Sequence, residues 1–393
     1  MLAAKIVAGC GPGKPADAVL RAELREQKGL TRDEGREASG AVFAFHRWQG
    51  WLDRSARLPE QVRQALQFDR MYREKPESFP DSELRRAVPE WVPDSVAVTP
   101  AWLRELQREP ALWLRARPGR GAQLAAELHD CQPAAAAGPF ADALQYLGAE
   151  DLFRTPQFHA GRFELQDLNS QVVGFLCAPR PGETWWDTCA GEGGKTLHLC
   201  DLMGNKGRVW ASDRAQWRLD QLKRRAARAG VFNYRVELWN GGPKLPTKTK
   251  FDGILVDAPC SGVGTWQRNP HARWTTQPAD IAELAALQKR LLAHAIPSLK
   301  PGGRLIYAVC TLTHAETTEV AAAVEREFPH LERLPLVNPL AADPAGPVAA
   351  PLWLWPQTTG GNGMFIAGWR APAAPVHQAA TVSAAKIEVS NPS

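Results

Sequence analysis

The sequence predicts an α/β protein whose larger part is an open parallel sheet with helices on both faces. From residue 161 onward, short runs rich in Val, Ile, Leu and Trp alternate with helical stretches. Strands separated by helices of roughly 10–20 residues pair in parallel under a covering of helices. Before residue 160 the spacing of apolar residues is mainly helical. A helical N-terminal domain (1–95) and a small α/β region (96–160) are therefore expected ahead of the sheet domain (161–371).

In chain order, "AVFAFHRWQGWLDR" and "LPEQVRQALQFDRMY" repeat apolar residues at helical intervals, and "EKPESFPDSE" between residues 74 and 83 reads as a loop. "AVPEWVPDS" closes this unit with two prolines. A helix at Pro100–Gln107, a strand at 112–117 ("LWLRAR"), a helix at "GAQLAAELHD" and a connector "QPAAAAGPF" follow. The main strands are expected at 183–187, 207–213, 234–240, 251–257 and 303–310, with helices at 195–203, 214–230, 279–298 and 315–327. "MFIAGWR" (364–370) is expected as an antiparallel addition near the edge, and 372–393 as a disordered tail.

The 393 residues, 44% hydrophobic and 23% charged, are enough for two or three globular domains. No run of 18 apolar residues marks a membrane span, and the start "MLAAKIVAGCGPGKP" makes a poor signal peptide. The seven cysteines are odd in number, scattered and without a C-x-x-C pair. No metal site is expected from that spacing, and free thiols in a reducing cytoplasm are. A net charge of +5 suits an anionic partner without demanding one. The helix at 214–230 concentrates Arg214, Arg218, Lys223, Arg224, Arg225 and Arg228, which is either a solvated face or a contact for phosphates.

Ligands of open parallel sheets bind beyond the carboxyl ends of the strands. The first such end is "DTCAGEGGKT" (187–196). A P-loop needs a glycine where Cys189 stands, and a dinucleotide fingerprint needs one where Thr196 stands. An adenosyl ligand such as S-adenosylmethionine needs neither signature. It needs a glycine-rich turn, here Gly191, Gly193 and Gly194, and a carboxylate for the ribose diol, here Asp213. Asp213 also suits a helix N-cap, and Asn240 suits either an adenine edge or a turn.

Two strand ends carry thiols: Cys260 in "VDAPCSG" and Cys310 in "YAVCTL". Each alone is better read as a buried packing residue. Together, beside Asp257 and on adjacent strands, they suit another chemistry. Carbon 5 of a pyrimidine becomes nucleophilic once a thiolate adds at carbon 6. The sequence then needs one nucleophile, one carboxyl at ring nitrogen 3 and one group that aids release.

These stretches resemble the Sun (Nol1/Nop2/Sun) family of RNA cytosine-C5 methyltransferases, in its bacterial rRNA-type form. "DAPCSG" and "VCTL" are similar to its two cysteine motifs, "FELQDLNSQ" (163–171) to its entry motif, "RNPHARW" (268–274) to the segment after the first cysteine, and "GNGMFIAGWR" (361–370) to its closing strand. "AVPEWV" and "LWLRARP" resemble its small RNA-recognition region. The resemblance implies a Rossmann-like class I methyltransferase sheet. It implies Cys310 as nucleophile, Cys260 as the aid to release and Asp257 at base and cofactor. Cys189, Ala190, Gly191, Glu192, Gly193, Gly194 and Lys195, with Asp213 and Asn240, would hold S-adenosylmethionine, and Arg268 and Arg273 would contact RNA. Glu192 replaces the family's proline, Asn240 its acid and Val309 its threonine. The expectation is a monomeric enzyme that methylates carbon 5 of cytidine in structured RNA, rRNA first and tRNA second. Its rival is an RNA-binding ribosome-assembly factor with a degenerate methyltransferase fold, supported by Glu192 and Asn240.

Overall fold

The computed structural model describes residues 2–341 and 351–373, apart from Lys28, Ala137 and Pro139. The expected tail falls outside the described residues from 374 on. Among the described residues no helix is long and apolar enough to cross a membrane.

The N-terminal unit packs the helices Leu2–Gly9, Ala16–Glu26, Arg32–Trp48 and Leu58–Glu74. Thr31 and Glu34 close a capping box at the start of the third, satisfying two backbone donors that a helix leaves free. Trp48, Trp51, Tyr72 and Phe79 form the aromatic centre of its core. That core continues into Val263, Trp266 and Leu312 of the sheet domain, so the helices are packed on the loops that carry the two cysteine motifs. The segment expected as a loop before residue 84 winds into two short helices, Pro76–Ser78 and Asp81–Leu84. Arg104 holds this segment by donating to the carbonyls of Pro76 and Phe79.

The small sheet is antiparallel, with strands β1 (Leu112–Ala116), β2 (Cys131–Pro133), β3 (Ala143–Tyr146) and β4 (Phe163–Leu165) in the order β2-β3-β1-β4. β2 lies in the expected connector, and β4 extends this sheet past residue 160. Arg115 and Arg117 turn into the domain junction. Both pair with Asp201, and Arg117 also pairs with Glu164. Arg225 and Arg228 of the basic helix meet the same buried Glu164.

The main sheet contains β5 (Thr184–Asp187), β6 (Arg208–Asp213), β7 (Tyr234–Leu238), β8 (Phe251–Asp257), β9 (Leu299–Val309), β10 (Glu332–Arg333), β11 (Leu352–Leu354) and β12 (Met364–Arg370). Its order is β10-β12-β9-β8-β5-β6-β7, with β11 also on β12. β5 to β9 run parallel, and β12 is antiparallel to β9, as expected. The helices Gly194–Leu202, Gln216–Ala229, Pro278–Ala295 and Thr318–Glu327 stand where the spacing placed them, within a few residues. Separate apolar cores cover the two faces. The helix Leu168–Cys177, capped by Asp167, was not foreseen. It is buried on most sides and therefore lacks an amphipathic stripe.

Candidate active site

Asp257 ends β8, and Val309 ends its parallel neighbour β9, which places Cys260 and Cys310 just beyond two adjacent carboxyl ends. Their Sγ atoms lie 3.4 Å apart. The Cys310 pKa is lowered, chiefly by its hydrogen bond with the Cys260 thiol; Lys195 and Arg268 also favour its charge. Cys260 is raised well above the ordinary thiol range, first by that same hydrogen bond and then by burial. The two shifts run in opposite directions, so of the pair Cys310 is the more readily ionised and Cys260 the firmer holder of its proton. Burial pushes the Cys189, Cys177 and Cys200 thiols up, which leaves them neutral.

Lys195 Nζ donates to Asp257 Oδ2 at 2.7 Å and reaches Ser170 Oγ at 3.4 Å. Burial works against its charge, but the Asp257 carboxylate outweighs it and holds the ammonium up. Lys195 therefore serves the carboxylate beside the thiols.

A residue that sequence reasoning missed fixes both cysteine loops. Glu316, fully buried, accepts from the Ser261 amide (2.8 Å), Gln288 Nε2 (3.0 Å), Thr311 Oγ1 (3.1 Å), Thr313 Oγ1 (2.9 Å) and the Ser261 hydroxyl. The threonines flanking Leu312, with an acid three residues on, were its only trace in the sequence. A second tie is backbone to backbone. Gly264 N donates to the Cys310 carbonyl (3.0 Å) and Gly363 N to the Gly264 carbonyl (2.7 Å). A Cβ on Gly264 would stand 2.0 Å from the Gly363 oxygen, so only glycine fits there. Asn169, from the entry motif, donates to Thr359 Oγ1 and to the Asn362 carbonyl, and Asp167 accepts from Asn362 N, anchoring the same strand from the other side.

Beside the thiols a cleft of about 440 Å³ opens at the carboxyl ends of β5, β6 and β8. Of the residues expected to hold a cofactor, Cys189, Ala190, Gly191, Asp213, Asn240 and Asp257 line it. Gly191 takes a left-handed conformation (φ 53°), and its N–H donates to Asp213 Oδ2 at 3.0 Å. Asp213 Oδ1 accepts from Ala215 N at 2.8 Å. A carboxylate oxygen has two lone-pair sites, so each still has one for a diol. Asn240 Oδ1 accepts from Gly242 N, the turn role, while the residue remains on the cleft wall. Trp239, Leu287 and Leu291 supply an apolar wall of the kind an adenine face requires. Arg214 and Arg218 of the basic helix stand at its rim.

Four residues expected at the cofactor lie outside the cleft lining: Lys195, which pairs with Asp257, and Glu192, Gly193 and Gly194. The Glu192 side chain is exposed and off the cleft wall, and Arg225 takes its carbonyl. Gly193 (φ 87°) packs on Leu222, whose Cγ would lie 2.5 Å from a Cβ there. Gly194 opens the following helix outside the cleft lining. Of the two arginines expected at RNA, Arg268 is exposed and lines the groove shared by Trp113, Asp167 and Asn362. Arg273 is not available: it is wholly buried, and its guanidinium donates to the carbonyls of Ala87 (2.9 Å), Leu106 (3.0 Å), Trp266 and Arg47. It clamps the N-terminal helices onto the segment after Cys260.

The family model described as 16S rRNA methyltransferase RsmB/F matches residues 175–370. The ribosomal RNA small subunit methyltransferase B of Erwinia tasmaniensis is 30% identical over 77% of this chain and 70% of its own length. The corresponding protein of Sodalis glossinidius is 32% identical over 75% and 69%. The chain spans less of other relatives: 62% of the Synechocystis one, at 36% identity, and 48% of the Bacillus subtilis one, at 35%. Among solved structures, PH0851 has the same fold over 94% of this chain and 97% of its own, at 22% identity and a TM-score of 0.75. A methyltransferase homologue from Pyrococcus horikoshii, 25% identical, superposes over 75% of this chain and 99% of its own with a TM-score of 0.60. The fold is thus that of class I methyltransferases, and with the two cysteine motifs inside the matched stretch the chain belongs to the RsmB/F family of 16S rRNA methyltransferases.

Proposed function

We propose that this chain methylates carbon 5 of a cytidine in RNA, with S-adenosylmethionine held in the cleft and the base at the Cys310 thiolate. The 3.4 Å pairing of Cys260 and Cys310 beside the Lys195–Asp257 ion pair carries the reading. The cleft fits the cofactor: a glycine turn, a carboxylate with spare lone pairs and an apolar wall. Bound there, S-adenosylmethionine supplies the methyl group that carbon 5 receives. Asp213 would take the ribose hydroxyls, and the apolar wall the adenine.

The base must leave its stack to reach a sulfur set this deep. Cys310 Sγ bonds to carbon 6, and the ring electrons move toward carbon 5. Asp257, paired with Lys195, would meet ring nitrogen 3, where displaced charge collects and a proton taken up from solvent is held. After methylation, solvent would take the carbon 5 proton, its bonding pair would re-form the ring double bond as the carbon 6–sulfur bond breaks, ring nitrogen 3 would return its proton, and Cys310 would leave as a thiolate. Cys260, which keeps its proton beside Cys310, stabilises that leaving sulfur. The names of the curated relatives favour rRNA as substrate, and a tRNA (cytosine(72)-C(5))-methyltransferase from mouse, 38% identical over 44% of this chain, keeps tRNA second. All seven cysteines are free, which supports a reducing, cytoplasmic setting.

The test is a pair of variants with methyl-labelled cofactor. Cys260→Ala should accumulate a protein–RNA adduct that survives a denaturing gel. Cys310→Ala should give neither adduct nor label transfer. Full activity in both variants would overturn the chemistry. RNA binding without label transfer by the unaltered chain would instead support the assembly-factor reading. Bisulfite sequencing of RNA from a deletion strain then identifies the nucleotide.

A further inference from the structure

Three side chains from three separate helical segments converge away from the active site. Cys10 follows the helix Leu2–Gly9, His46 lies in Arg32–Trp48, and His271 lies in Pro270–Thr275, within the segment after Cys260. One sulfur and one nitrogen from each imidazole all lie within 4.8 Å of one another. We propose that Cys10, His46 and His271 bind a zinc-class divalent cation that fastens the N-terminal helices to the methyltransferase domain.

The hydrogen bonds of His46 point to a ligand. Its Nδ1 stands 3.3 Å from the Gln49 side-chain oxygen, an acceptor, so Nδ1 carries the proton. Nε2 is left with a lone pair, buried and without a hydrogen-bond partner. Buried polar atoms are nearly always paired, so an orphaned lone pair on a ring grouped with a thiol and a second imidazole calls for an electron-pair acceptor. A histidine ligand that donates its other N–H to an oxygen is the arrangement that orients imidazoles on metals. Both rings are buried, and burial disfavours their charged forms. The rings meet edge to face with centroids 4.7 Å apart, which leaves little to reorganise.

The donor set suits zinc. One thiolate and two imidazoles are borderline-soft ligands, and a tetrahedral ion leaves a fourth position for water. At ordinary zinc bond lengths, ligand atoms sit about 3.3–3.6 Å apart, so each must move by less than about 1 Å. Cys10 now donates to the Ile6 carbonyl at 3.2 Å. Binding breaks that contact, forms the metal–sulfur bond and releases the thiol proton to solvent. Cys10 is only half-buried, which gives the ion an entry path. The cluster adjoins the junction that Arg273 and Trp274 already bridge, Trp274 Nε1 donating to the His46 carbonyl at 2.6 Å.

The experiment uses the full chain carrying Cys260→Ser and Cys310→Ser, so that the catalytic thiols cannot supply the sulfur. After zinc loading and dialysis we expect one zinc per chain and a higher melting temperature that a chelator reverses. Cobalt in its place should show a thiolate charge-transfer band in the near ultraviolet. Cys10→Ser should remove the band, and His46→Gln should weaken zinc binding at least about tenfold. If His46→Gln does not fold, the Cys10→Ser spectrum decides. Retention of far less than one zinc, absence of the band, or a band unchanged by Cys10→Ser would overturn the proposal.

Discussion

Replacing Glu316 separates positioning of the thiols from binding of the cofactor. Its carboxylate accepts five hydrogen bonds from both cysteine loops and Gln288, and none of its oxygens faces the cleft lining. In Glu316→Gln the amide oxygen can keep the Ser261 amide and Gln288, which share Oε1. The new amide group meets three hydroxyls, from Ser261, Thr311 and Thr313, which can rotate to accept. What goes is charge assistance. Hydrogen bonds to charged groups contribute about 1.5–3 kcal/mol against about 1 for neutral ones, so a cost of about 2–3 kcal/mol follows once partial compensation is allowed. Glu316→Ala leaves the Ser261 amide without its partner, removes one of the two acceptors of Gln288 Nε2 and opens a cavity, so its cost should be about 3–5 kcal/mol. Denaturant unfolding measures these differences. Cofactor affinity by calorimetry should change less than about threefold, while single-turnover methyl transfer by Glu316→Gln should fall at least about tenfold, the loss expected when reacting groups are displaced. Wild-type stability and transfer rate in Glu316→Ala would refute the account, as would a loss of cofactor affinity parallel to the loss of rate.

Four further outcomes are expected. Burial, opposed by the Thr196 hydroxyl, pushes the Asp187 carboxyl up from its ordinary 3.8 to about 7. Between those values the folded chain keeps a proton that the unfolded chain has released, so stability present below pH 4 is lost as pH rises through 7, by up to about 4 kcal/mol. Urea titrations should show that slope in the wild type and a flatter one in Asp187→Asn; equal slopes would contradict it. Arg268→Ala should weaken RNA binding and lower its salt dependence by about one phosphate contact without moving the melting temperature. Arg273→Met, which strands buried carbonyls, should destabilise by about 3–5 kcal/mol yet leave the RNA affinity of folded protein unchanged. Gly264→Ala should cost about 3 kcal/mol or more by forcing Gly363 away and should abolish adduct formation.

Strands of the main sheet were legible because each is a short apolar run between turn residues, and burial on both faces demands such runs. β7 stops at Leu238, two residues before Asn240, since Asn240 caps its own turn at Gly242 instead of continuing the ladder. The small sheet was harder to read. β3 and β4 have four and three residues, too few for a period to show, and β4 belongs to a partner some fifty positions earlier. Local pattern says nothing about such pairing. The helix 214–230 shows the same limit for charge: its arginines divide among a cleft rim, a buried glutamate and open solvent, and composition alone cannot sort them.

For the site, residue types were legible and burial was not. Cys260, Cys310 and Asp257 could be placed together because adjacent parallel strands end side by side, and that argument needs only strand order. Arg268 and Arg273 stand five positions apart in one motif, yet one faces solvent and the other is a fully buried clamp. The difference arises because Arg273 points at carbonyls of Arg47, Ala87 and Leu106, residues distant in the chain whose arrival no local rule foretells. The same geometry explains why a domain without catalytic groups bears on catalysis. Val263, Trp266 and Leu312, on either side of the thiol pair, complete the core of the N-terminal helices. Loosening those helices therefore moves the two cysteine loops relative to each other, and a pair of sulfurs set 3.4 Å apart tolerates little of that.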